Sequence, residues 1–321
     1  MNAAAEAQVR ELLRQGDAQA RAGDTRAASS FYQAALKAAH EAGTLPDALL
    51  PDLRRAHDYS QRAAADYQAH LQRNLAALGA GPRFDEAIDI LFGRKPIQLQ
   101  QPSAFYFPGL PQKPFYERHE FDWVPAVEAA TPRIRDELLA LLNQGADFQP
   151  YVEAEENRPR QDFHGMLGDP SWGAFYLWKD GAVVEPNAAR CPRTMDALAK
   201  VPMTRIGTRT PSVLFSLLRP GAHIPPHHGM LNSRLICHLP LIVPPSCWLR
   251  VGNETRQWEE GRLLIFDDSM EHEAKNGSAE VRIILLFDIW RPELTEAEQE
   301  GVSAIFEAID RFGGGPAEGR A

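Results

Sequence analysis

The sequence predicts a two-part chain, an α-helical domain followed by an all-β domain of the sandwich or barrel type. The first 78 or so residues are rich in Ala, Gln, Arg and Glu, with apolar residues at helical spacing. Beyond Trp172, short runs of Val, Ile, Leu, Phe and Trp alternate with turn dipeptides such as Asp180-Gly181, a pattern typical of short strands. Five prolines between residues 94 and 114 forbid regular helix between the two parts.

The composition excludes several classes of protein. The net charge of −9 provides no positive field for nucleic acid, so we expect no nucleic-acid partner. The late apolar run IILLFDIW is far shorter than the roughly 20 residues that span a bilayer, so we expect no membrane insertion. The start, MNAAAEAQVREL, lacks a signal-peptide pattern. Three cysteines without CxxC spacing (Cys191, Cys237 and Cys247) fit a reducing compartment, and we expect a cytoplasmic protein.

Residues 1–93 are predicted to form the helical domain. Gly16, Ala28, Tyr32 and Ala35 have the spacing at which a tetratricopeptide-like (TPR-like) helix pair places small residues at its crossing. Residues 49–78 are expected to form a further long helix, or a pair, that stacks on the first two. Two interpretations stay open: a purely structural helical bundle, or a groove that binds a peptide or protein.

Residues 94–120 are predicted to form a connecting arm. Its prolines favour extended chain, but its aromatic residues are too numerous for a free linker. We therefore expect the arm to pack on the domain that follows it through Phe105, Tyr106, Phe107, Phe115 and Tyr116.

Residues 121–321 are predicted to form the main domain, with its β core over residues 172–292. An amphipathic helix is expected over 124–142, with Pro132 near a start after Thr131. The chain returns to helix after a capping box, in which Thr295 precedes Glu298 by three residues, and then frays through GGGPAEGRA.

Four histidines suggest a metal site. Three of them, His223, His227 and His228, lie in GAHIPPHHG, where two prolines hold the chain extended. His272 follows the strand RLLIF, so a barrel could bring it next to the first group. Neutral imidazole is a common ligand of transition metals, although any one such histidine is more typical of a surface or a hydrogen-bonded core.

A buried arginine suggests an anion site. Arg282 lies within VRIILLFDIW, on one face with Ile284 and Leu286. A buried guanidinium needs an anionic partner, which is either a bound carboxylate or an acid elsewhere in the protein. Ser216 occupies an inward position of SVLFSLL, from which its hydroxyl could share the same carboxylate.

In the strand RLICHLPLIV, Arg234 and His238 share one face. Two basic side chains among apolar neighbours indicate anion recognition. The alternative is a solvated arginine at the barrel rim and a hydrogen-bonded core histidine.

These motifs together resemble a known family. The segments HIPPHHGMLNSRLICHLPLIVP, VGNETRQWEEGRLLIFDDSMEHEA and VRIILLFDIWRPELT are similar to those of the aspartyl/asparaginyl β-hydroxylases, which are iron(II)- and 2-oxoglutarate-dependent oxygenases. The likeness is close from Ser212 to about Thr295. It extends loosely back to Phe105, and the helical N-terminus is similar only in kind to repeats that some members carry.

The resemblance implies an all-β double-stranded β-helix, or cupin-like jelly roll, with flanking helices. It implies that His227 and His272 are the iron ligands and so the catalytic residues. It also implies that Arg282 and Ser216 hold the distal carboxylate of 2-oxoglutarate, with His238 near this cosubstrate. We further expect the substrate-side wall between residues 151 and 179, with Arg234, to include Trp172 and Trp178.

The sequence departs from the usual pattern at two positions. Gly229 stands where most such oxygenases have a metal-binding carboxylate, so either water or a nearby acid fills that place; the candidate acids are Asp267, Asp268, Glu271 and Glu273. His228 could also replace His227 as the ligand. Ile236 stands where animal members of the family have a second arginine, which leaves the substrate open.

The resulting expectation is a dioxygenase that uses iron(II), 2-oxoglutarate and O2 and releases succinate and CO2. Its substrate is expected to be the β-carbon of an aspartyl, asparaginyl or related amino-acid unit, either free, in a peptide or on a carrier protein presented by the helical N-terminus. The alternative is a non-catalytic cupin-like scaffold whose helices recruit a protein partner.

Overall fold

The computed structural model describes residues 3–43, 46–75, 79–154 and 163–313. The chain divides into two compact units, residues 1–95 and 96–321. The boundary between them falls inside the arm predicted for residues 94–120. Within the described residues, no helix has the length and apolar character needed to cross a membrane.

The first unit is helical. A Cβ atom at Gly16 would lie 2.6 Å from the Tyr32 ring, so only glycine allows the first two helices to approach this closely. Ala28 and Ala35 are buried at the same crossing, as predicted, and Ala56 packs into the same core from the third helix. Residues 76–78 of the predicted third helix lie outside the described residues. The helices are α1 (Ala3–Arg21), α2 (Thr25–Ala42), α3 (Leu50–Leu75) and α4 (Pro82–Leu91).

The second unit is a jelly roll of two antiparallel sheets, which confirms the predicted fold class. The larger sheet has the order β1-β10-β7-β12-β5-β3-β2, with β4 beside β3, and the smaller has the order β6-β11-β8-β9. The strands are β1 (Phe115–Tyr116), β2 (Gln149–Pro150), β3 (Trp172–Lys179), β4 (Ala182–Val183), β5 (Val213–Leu218), β6 (His223–His227), β7 (Arg234–Ile242), β8 (Cys247–Val251), β9 (Glu254–Gln257), β10 (Leu264–Phe266), β11 (His272–Asn276) and β12 (Arg282–Trp290).

The apolar strands are central in the larger sheet. All of β5 and nearly all of β12 is buried, because one face of the sheet meets helices and the other meets the smaller sheet. The alternation predicted for β7 holds: Leu235 packs toward the helix side, whereas Ile236 packs between the sheets. The space between the sheets therefore receives the side chains that were predicted to carry chemistry.

Helices flank this double sheet. They are α5 (Val124–Asn143), α6 (Glu185–Ala188), α7 (Pro192–Leu198) and α8 (Glu296–Gly313). Pro132 lies inside α5, and its prediction near a helix start was wrong. Burial of the stripe that includes Val127 and Ile134 offsets the hydrogen bond that the proline removes. The capping box before α8 is confirmed, because Glu298 N–H donates to Thr295 Oγ1 at 3.3 Å. Residues 314–321 lie outside the described residues.

The arm packs on the jelly roll as predicted, with Phe115 and Tyr116 buried, whereas Tyr106 is half exposed and does not take part. Gln100 Nε2 donates to the buried Asp267 carboxylate at 2.6 Å, and Phe107 N–H donates to Asn232 Oδ1 at 2.6 Å. The arm ends in β1, which pairs with β10. These contacts hold the arm against the jelly roll.

Candidate functional site

Two predicted metal-ligand histidines face each other across neighbouring strands of the smaller sheet. His227 on β6 and His272 on β11 are direct antiparallel partners. Their ring centroids are 4.0 Å apart, and His272 is 9% exposed. The two prolines of β6 keep the strand extended up to His227. His228 is not in register with His272, so the pairing favours His227 of the two neighbours.

Both rings are neutral, and each turns its Nδ1 toward a backbone carbonyl. Burial lowers the pKa of His227 to about 3 and that of His272 to about 4. His227 Nδ1 lies 2.8 Å from the Pro225 carbonyl oxygen, and His272 Nδ1 lies 3.1 Å from that of Met270. We assign the ring hydrogen to Nδ1 in each case, since a carbonyl can only accept. Each Nε2 then keeps a lone pair, as in histidines that bind metals.

Of the four acids considered as a third ligand, three form ion pairs, and the fourth, Asp268, pairs with Arg234 through Oδ2 and lines the same cavity as the histidines. Arg291 Nη1 lies 2.9 Å from Asp267, and Arg250 Nη2 lies 2.9 Å from Glu271 and also pairs through Nε with Glu273. Over the described residues, no group of three His, Cys, Asp or Glu side chains is arranged to hold a metal. The described residues thus bring together two histidines as candidate ligands, with Asp268 in the same cavity.

Arg282 has the environment of an anion-binding residue. Its side chain is 1% exposed, its Nη1 donates to the Ser216 carbonyl oxygen at 3.3 Å, and its guanidinium lies 4.8 Å from the Trp258 ring centre. In the described part of the chain, its Nε has no hydrogen-bond partner and the guanidinium has no acid partner. Burial lowers its pKa to about 10, so it remains charged at neutral pH. Among the described residues, Arg282 therefore has no protein ion pair, which was the alternative to a bound carboxylate.

Ser216 and His238 lie next to this arginine. Ser216 Oγ accepts from Trp172 Nε1 at 3.2 Å. Trp258 Nε1 donates to His238 Nδ1 at 3.3 Å, which leaves the His238 hydrogen on Nε2. Burial, together with the charge of Arg282, lowers the pKa of His238 well below its usual value. His238 is thus a neutral ring with one free N–H donor.

A cavity of about 90 Å³ lies between the sheets beside the histidine pair, and Ser216 and Arg282 are not part of its lining. Its lining includes five of the predicted site residues, namely Trp172, His227, Arg234, His238 and His272. Ser216 and Arg282 are linked to this lining through Trp172 and Trp258.

Trp178 does not reach the cavity, and its prediction as a wall residue was wrong. Strict alternation along β3 would place it on the same face as Trp172. A register shift between Tyr176 and Trp178 in the pairing with β5 breaks this alternation. Trp178 consequently packs against the helix-side core, and Arg205 lies 5.4 Å from its ring centre.

Arg234 is held between two buried carboxylates. Its Nη2 lies 3.1 Å from Asp268 Oδ2, and its Nη1 lies 3.5 Å from Asp288 Oδ2. Burial raises the pKa of Asp288 to about 6. The other oxygen of Asp288 accepts the Ser212 backbone N–H at 2.9 Å. Arg234 is therefore neither solvated at the rim nor free.

Several site residues were missed from the sequence. Tyr151 stacks on Trp172 with ring centroids 3.9 Å apart, and the Phe163 ring centroid lies 5.3 Å from that of His227. Trp258 contacts both His238 and Arg282. Tyr151 and Phe163 fall within the wall predicted between residues 151 and 179, but neither was predicted individually. Residues 155–162 of this wall lie outside the described residues.

A jelly roll with paired neutral histidines between its sheets defines a cupin-like protein. The model of the family described as aspartyl/asparaginyl beta-hydroxylase matches residues 128–292, about half of the chain. The chain therefore belongs to the aspartyl/asparaginyl beta-hydroxylase family.

The names of individual relatives refer to different substrates. A human aspartyl/asparaginyl beta-hydroxylase is 35% identical over 209 residues, which cover 64% of this chain and 26% of the human protein. An ornithine lipid ester-linked acyl 2-hydroxylase of Rhizobium tropici is 35% identical over 182 residues, covering 56% of this chain and 61% of that protein. This chain thus matches only about a quarter of the human relative's length.

Solved structures resemble the fold only weakly. The cupin domain of Cnp3 from Schizosaccharomyces pombe is 12% identical with a TM-score of 0.27, and it covers 46% of this chain and 77% of that one. A predicted oxalate decarboxylase from Thermotoga maritima is also 12% identical, with a TM-score of 0.26 and coverage of 37% and 81%.

Proposed function

We propose that this protein is a hydroxylase that uses iron(II), 2-oxoglutarate and O2 to hydroxylate an unactivated carbon of an amino-acid-type substrate. The observation that carries the proposal is Arg282, a buried and charged guanidinium without an acid partner in the described chain, whose charge acts on the neutral His238. A dicarboxylic cosubstrate would supply the missing anion, and a divalent metal would use the two imidazole nitrogens.

The residues present fit both groups. His227 and His272 would hold the metal through Nε2, because each Nδ1 hydrogen is committed to a backbone carbonyl. Arg282 would bind the distal carboxylate of 2-oxoglutarate. Ser216 Oγ, which accepts from Trp172, could donate its own hydrogen to that carboxylate.

Bound iron(II) with 2-oxoglutarate and O2 supplies the oxidising chemistry, in which the cosubstrate is converted into succinate and CO2. The protein contributes binding, orientation and exclusion of water. His238 presents one N–H to the cavity and remains neutral, so it can donate to a carboxylate without titrating near neutral pH. The stacked pair of Tyr151 and Trp172 covers one side of the cavity.

The substrate class follows from the relatives and is part of the proposal. The human relative is named for aspartyl and asparaginyl units and the Rhizobium relative for an acyl chain. We propose an amino-acid-type substrate because three charged side chains, Arg234, Asp268 and Asp288, line the cavity. Presentation of a peptide or carrier protein by the helical unit stays a prediction.

The test measures succinate formed from 2-oxoglutarate by the full chain under air, with and without iron(II). We expect iron-dependent succinate that is lost when His227 and His272 are both replaced by Gln. Calorimetric titration with Mn(II) should show binding to the wild type and none to the double variant. His57→Gln, at an exposed position of α3, is the matched control. Absence of both metal binding and succinate would instead support the non-catalytic scaffold.

A further inference from the structure

One buried amide of the connecting arm, that of Gln100, has all of its hydrogen-bonding capacity in use. Its side chain is 6% exposed. Its Nε2 donates to the Asp267 carboxylate at 2.6 Å and to the Pro111 carbonyl oxygen at 2.9 Å. Its Oε1 accepts from Asn232 Nδ2 at 3.0 Å and from Gln112 Nε2 at 3.1 Å. Two donated and two accepted bonds are the full capacity of a glutamine amide.

Two of these partners belong to the chain segments next to the paired histidines. The β6 loop (residues 228–233) follows His227, and the β11 turn (residues 267–271) precedes His272. Gln100 accepts a hydrogen bond from the loop and donates one to the turn. A single side chain of the arm therefore bridges the two segments that lead to the histidine pair.

The backbone of the arm pairs with the same two segments. Gln101 N–H donates to the Ser269 carbonyl oxygen of the β11 turn at 2.7 Å, and Ser103 N–H donates to the Gly229 carbonyl oxygen of the β6 loop at 3.0 Å. The loop and the turn also meet directly, because Gly229 N–H donates to the Asp268 carbonyl oxygen at 2.6 Å. The arm thus crosses the place where the two segments join.

The β11 turn in its own right orients a histidine ring. His272 Nδ1 donates to the Met270 carbonyl oxygen at 3.1 Å, and Met270 N–H donates to the Asp267 carbonyl oxygen at 3.3 Å. A displacement of Asp267 therefore moves the carbonyl that holds the His272 ring. Hydrogen-bond partners of this kind fix the tautomer and the direction of histidines that bind metals.

The contacts require an amide at residue 100. The atom next to the Asp267 carboxylate must be a donor, and the atom next to Asn232 Nδ2 must be an acceptor. A carboxylate at this position would place a like charge against Asp267. An apolar side chain would remove one hydrogen bond from a buried group in each segment, which is costly where water does not replace it.

We propose that Gln100 is a positioning residue for the histidine pair, whose amide sets the spacing and ring orientation of His227 and His272 by holding the β6 loop and the β11 turn together. Gln100 lies outside residues 128–292, which the family model matches, so this role belongs to the arm. The inference rests on the proposed function for its purpose, which is metal binding, but the ring orientation can be measured without metal.

The first experiment observes the His272 ring by NMR in the metal-free full chain with nitrogen-labelled histidines. In Gln100→Met, a side chain of similar length forms neither bridging bond. We expect the Nδ1 hydrogen of His272 to exchange with water about tenfold faster in this variant, because the turn opens more readily. Equal exchange in the wild type and in folded Gln100→Met would overturn the proposal.

Gln112→Met is the matched control for this comparison. Among the described residues, the Gln112 side chain bonds only to Gln100, so this variant weakens the arm without removing a bond to the loop or the turn. We expect its His272 exchange rate to equal that of the wild type. The same acceleration in Gln112→Met and Gln100→Met would show a general loosening of the arm and would overturn the specific role of Gln100.

The second experiment measures Mn(II) binding by calorimetric titration. We expect the dissociation constant to rise roughly 10- to 100-fold in Gln100→Met and to stay at the wild-type value in Gln112→Met. A purely structural Gln100 would lower stability in urea and leave the dissociation constant of the folded chain unchanged, which would overturn the positioning role alone. A wild type that binds no Mn(II), with the NMR difference still present, would overturn the oxygenase proposal alone.

A shorter amide provides a second variant if Gln100→Met does not fold, as judged by circular dichroism. Gln100→Asn keeps both polar atoms but lacks one methylene, so it cannot reach the loop and the turn together. We expect both measurements to change in the same direction as in Gln100→Met. Wild-type exchange and affinity in Gln100→Asn would overturn the proposal.

The wild type by itself offers a further test, because coupling between two sites is reciprocal. If Gln100 positions the histidines, bound Mn(II) must in turn stabilise the arm. We expect saturating Mn(II) to slow hydrogen exchange at the amides of Gln101 and Ser103 more than at the amides of α8. Equal slowing at both places would overturn the proposal.

Discussion

The carboxylate of Asp268 occupies the space where a side chain at Gly229 would begin. A Cβ atom at residue 229 would lie 2.1 Å from Asp268 Oδ2, and the Gly229 N–H donates to the Asp268 carbonyl oxygen at 2.6 Å. The position that usually carries an acid two residues after the first histidine is therefore closed by an acid from the turn before β11. Asp268 and a side chain at residue 229 exclude each other.

This exclusion predicts the behaviour of Gly229→Ala. The new methyl group must displace Asp268 from Arg234, and we expect a loss of about 1–3 kcal/mol in the free energy of unfolding from overpacking. Urea denaturation measures the loss. The double variant Gly229→Ala/Asp268→Ala removes the clash, so its stability should equal that of Asp268→Ala alone. A further loss in the double variant would contradict the exclusion.

Replacing Arg282 by Met tests its role as a carboxylate ligand. Loss of a charge-assisted hydrogen bond worth about 1.5–3 kcal/mol should raise the 2-oxoglutarate concentration for half-maximal succinate formation roughly 10- to 100-fold. The variant should be no less stable without 2-oxoglutarate, because the wild type buries an unpaired charge. Thermal unfolding with and without 2-oxoglutarate measures the stability of both proteins. We expect 2-oxoglutarate to raise the unfolding temperature of the wild type only. Arg133→Met, on the exposed face of α5, is the control.

His238 should make stability depend on pH below neutrality. Its pKa in the folded chain lies well below the ordinary value of 6.5, because burial and Arg282 disfavour the charged ring. Below pH 6.5 the unfolded chain binds a proton that the folded chain does not, so stability falls as pH falls. One histidine of this kind lowers the free energy of unfolding by up to about 1.4 kcal/mol for each pH unit below 6.5. Urea denaturation between pH 7 and 5 should therefore show a shallower loss for His238→Gln, whereas a slope equal to that of the wild type would contradict the prediction.

The close helix crossing in the first unit predicts that alanine substitutions at two helical glycines, Gly16 and Gly301, affect stability differently. Gly16→Ala and Gly301→Ala both gain helix propensity, but only the first places a methyl group against a buried ring, that of Tyr32. We expect Gly16→Ala to be less stable than Gly301→Ala by about 1–3 kcal/mol, each measured against the wild type by hydrogen exchange of its own helix. Equal effects would show that Tyr32 moves aside freely.

The strands and the histidine pair could be predicted because their signals are local. Alternation in RLICHLPLIV placed Arg234 and His238 on one face, and the paired prolines before His227 marked an extended segment. The same alternation gave a wrong prediction for Trp178, because one register shift in β3 turns its side chain to the opposite face. Such a shift depends on the partner strand, which the sequence of β3 does not contain.

The sequence by itself determined a helical unit, an all-β unit of the sandwich or barrel type and the residue types of the proposed metal and carboxylate site, since periodicity and residue chemistry are properties of short segments. Only the tertiary structure decided which charges meet. It left Arg282 without an acid in the described chain, placed Arg234 between Asp268 and Asp288, and put Asp268 in the space beside Gly229. These pairings join residues from separate strands and turns, and burial makes each of them energetically decisive because water cannot replace a missing partner.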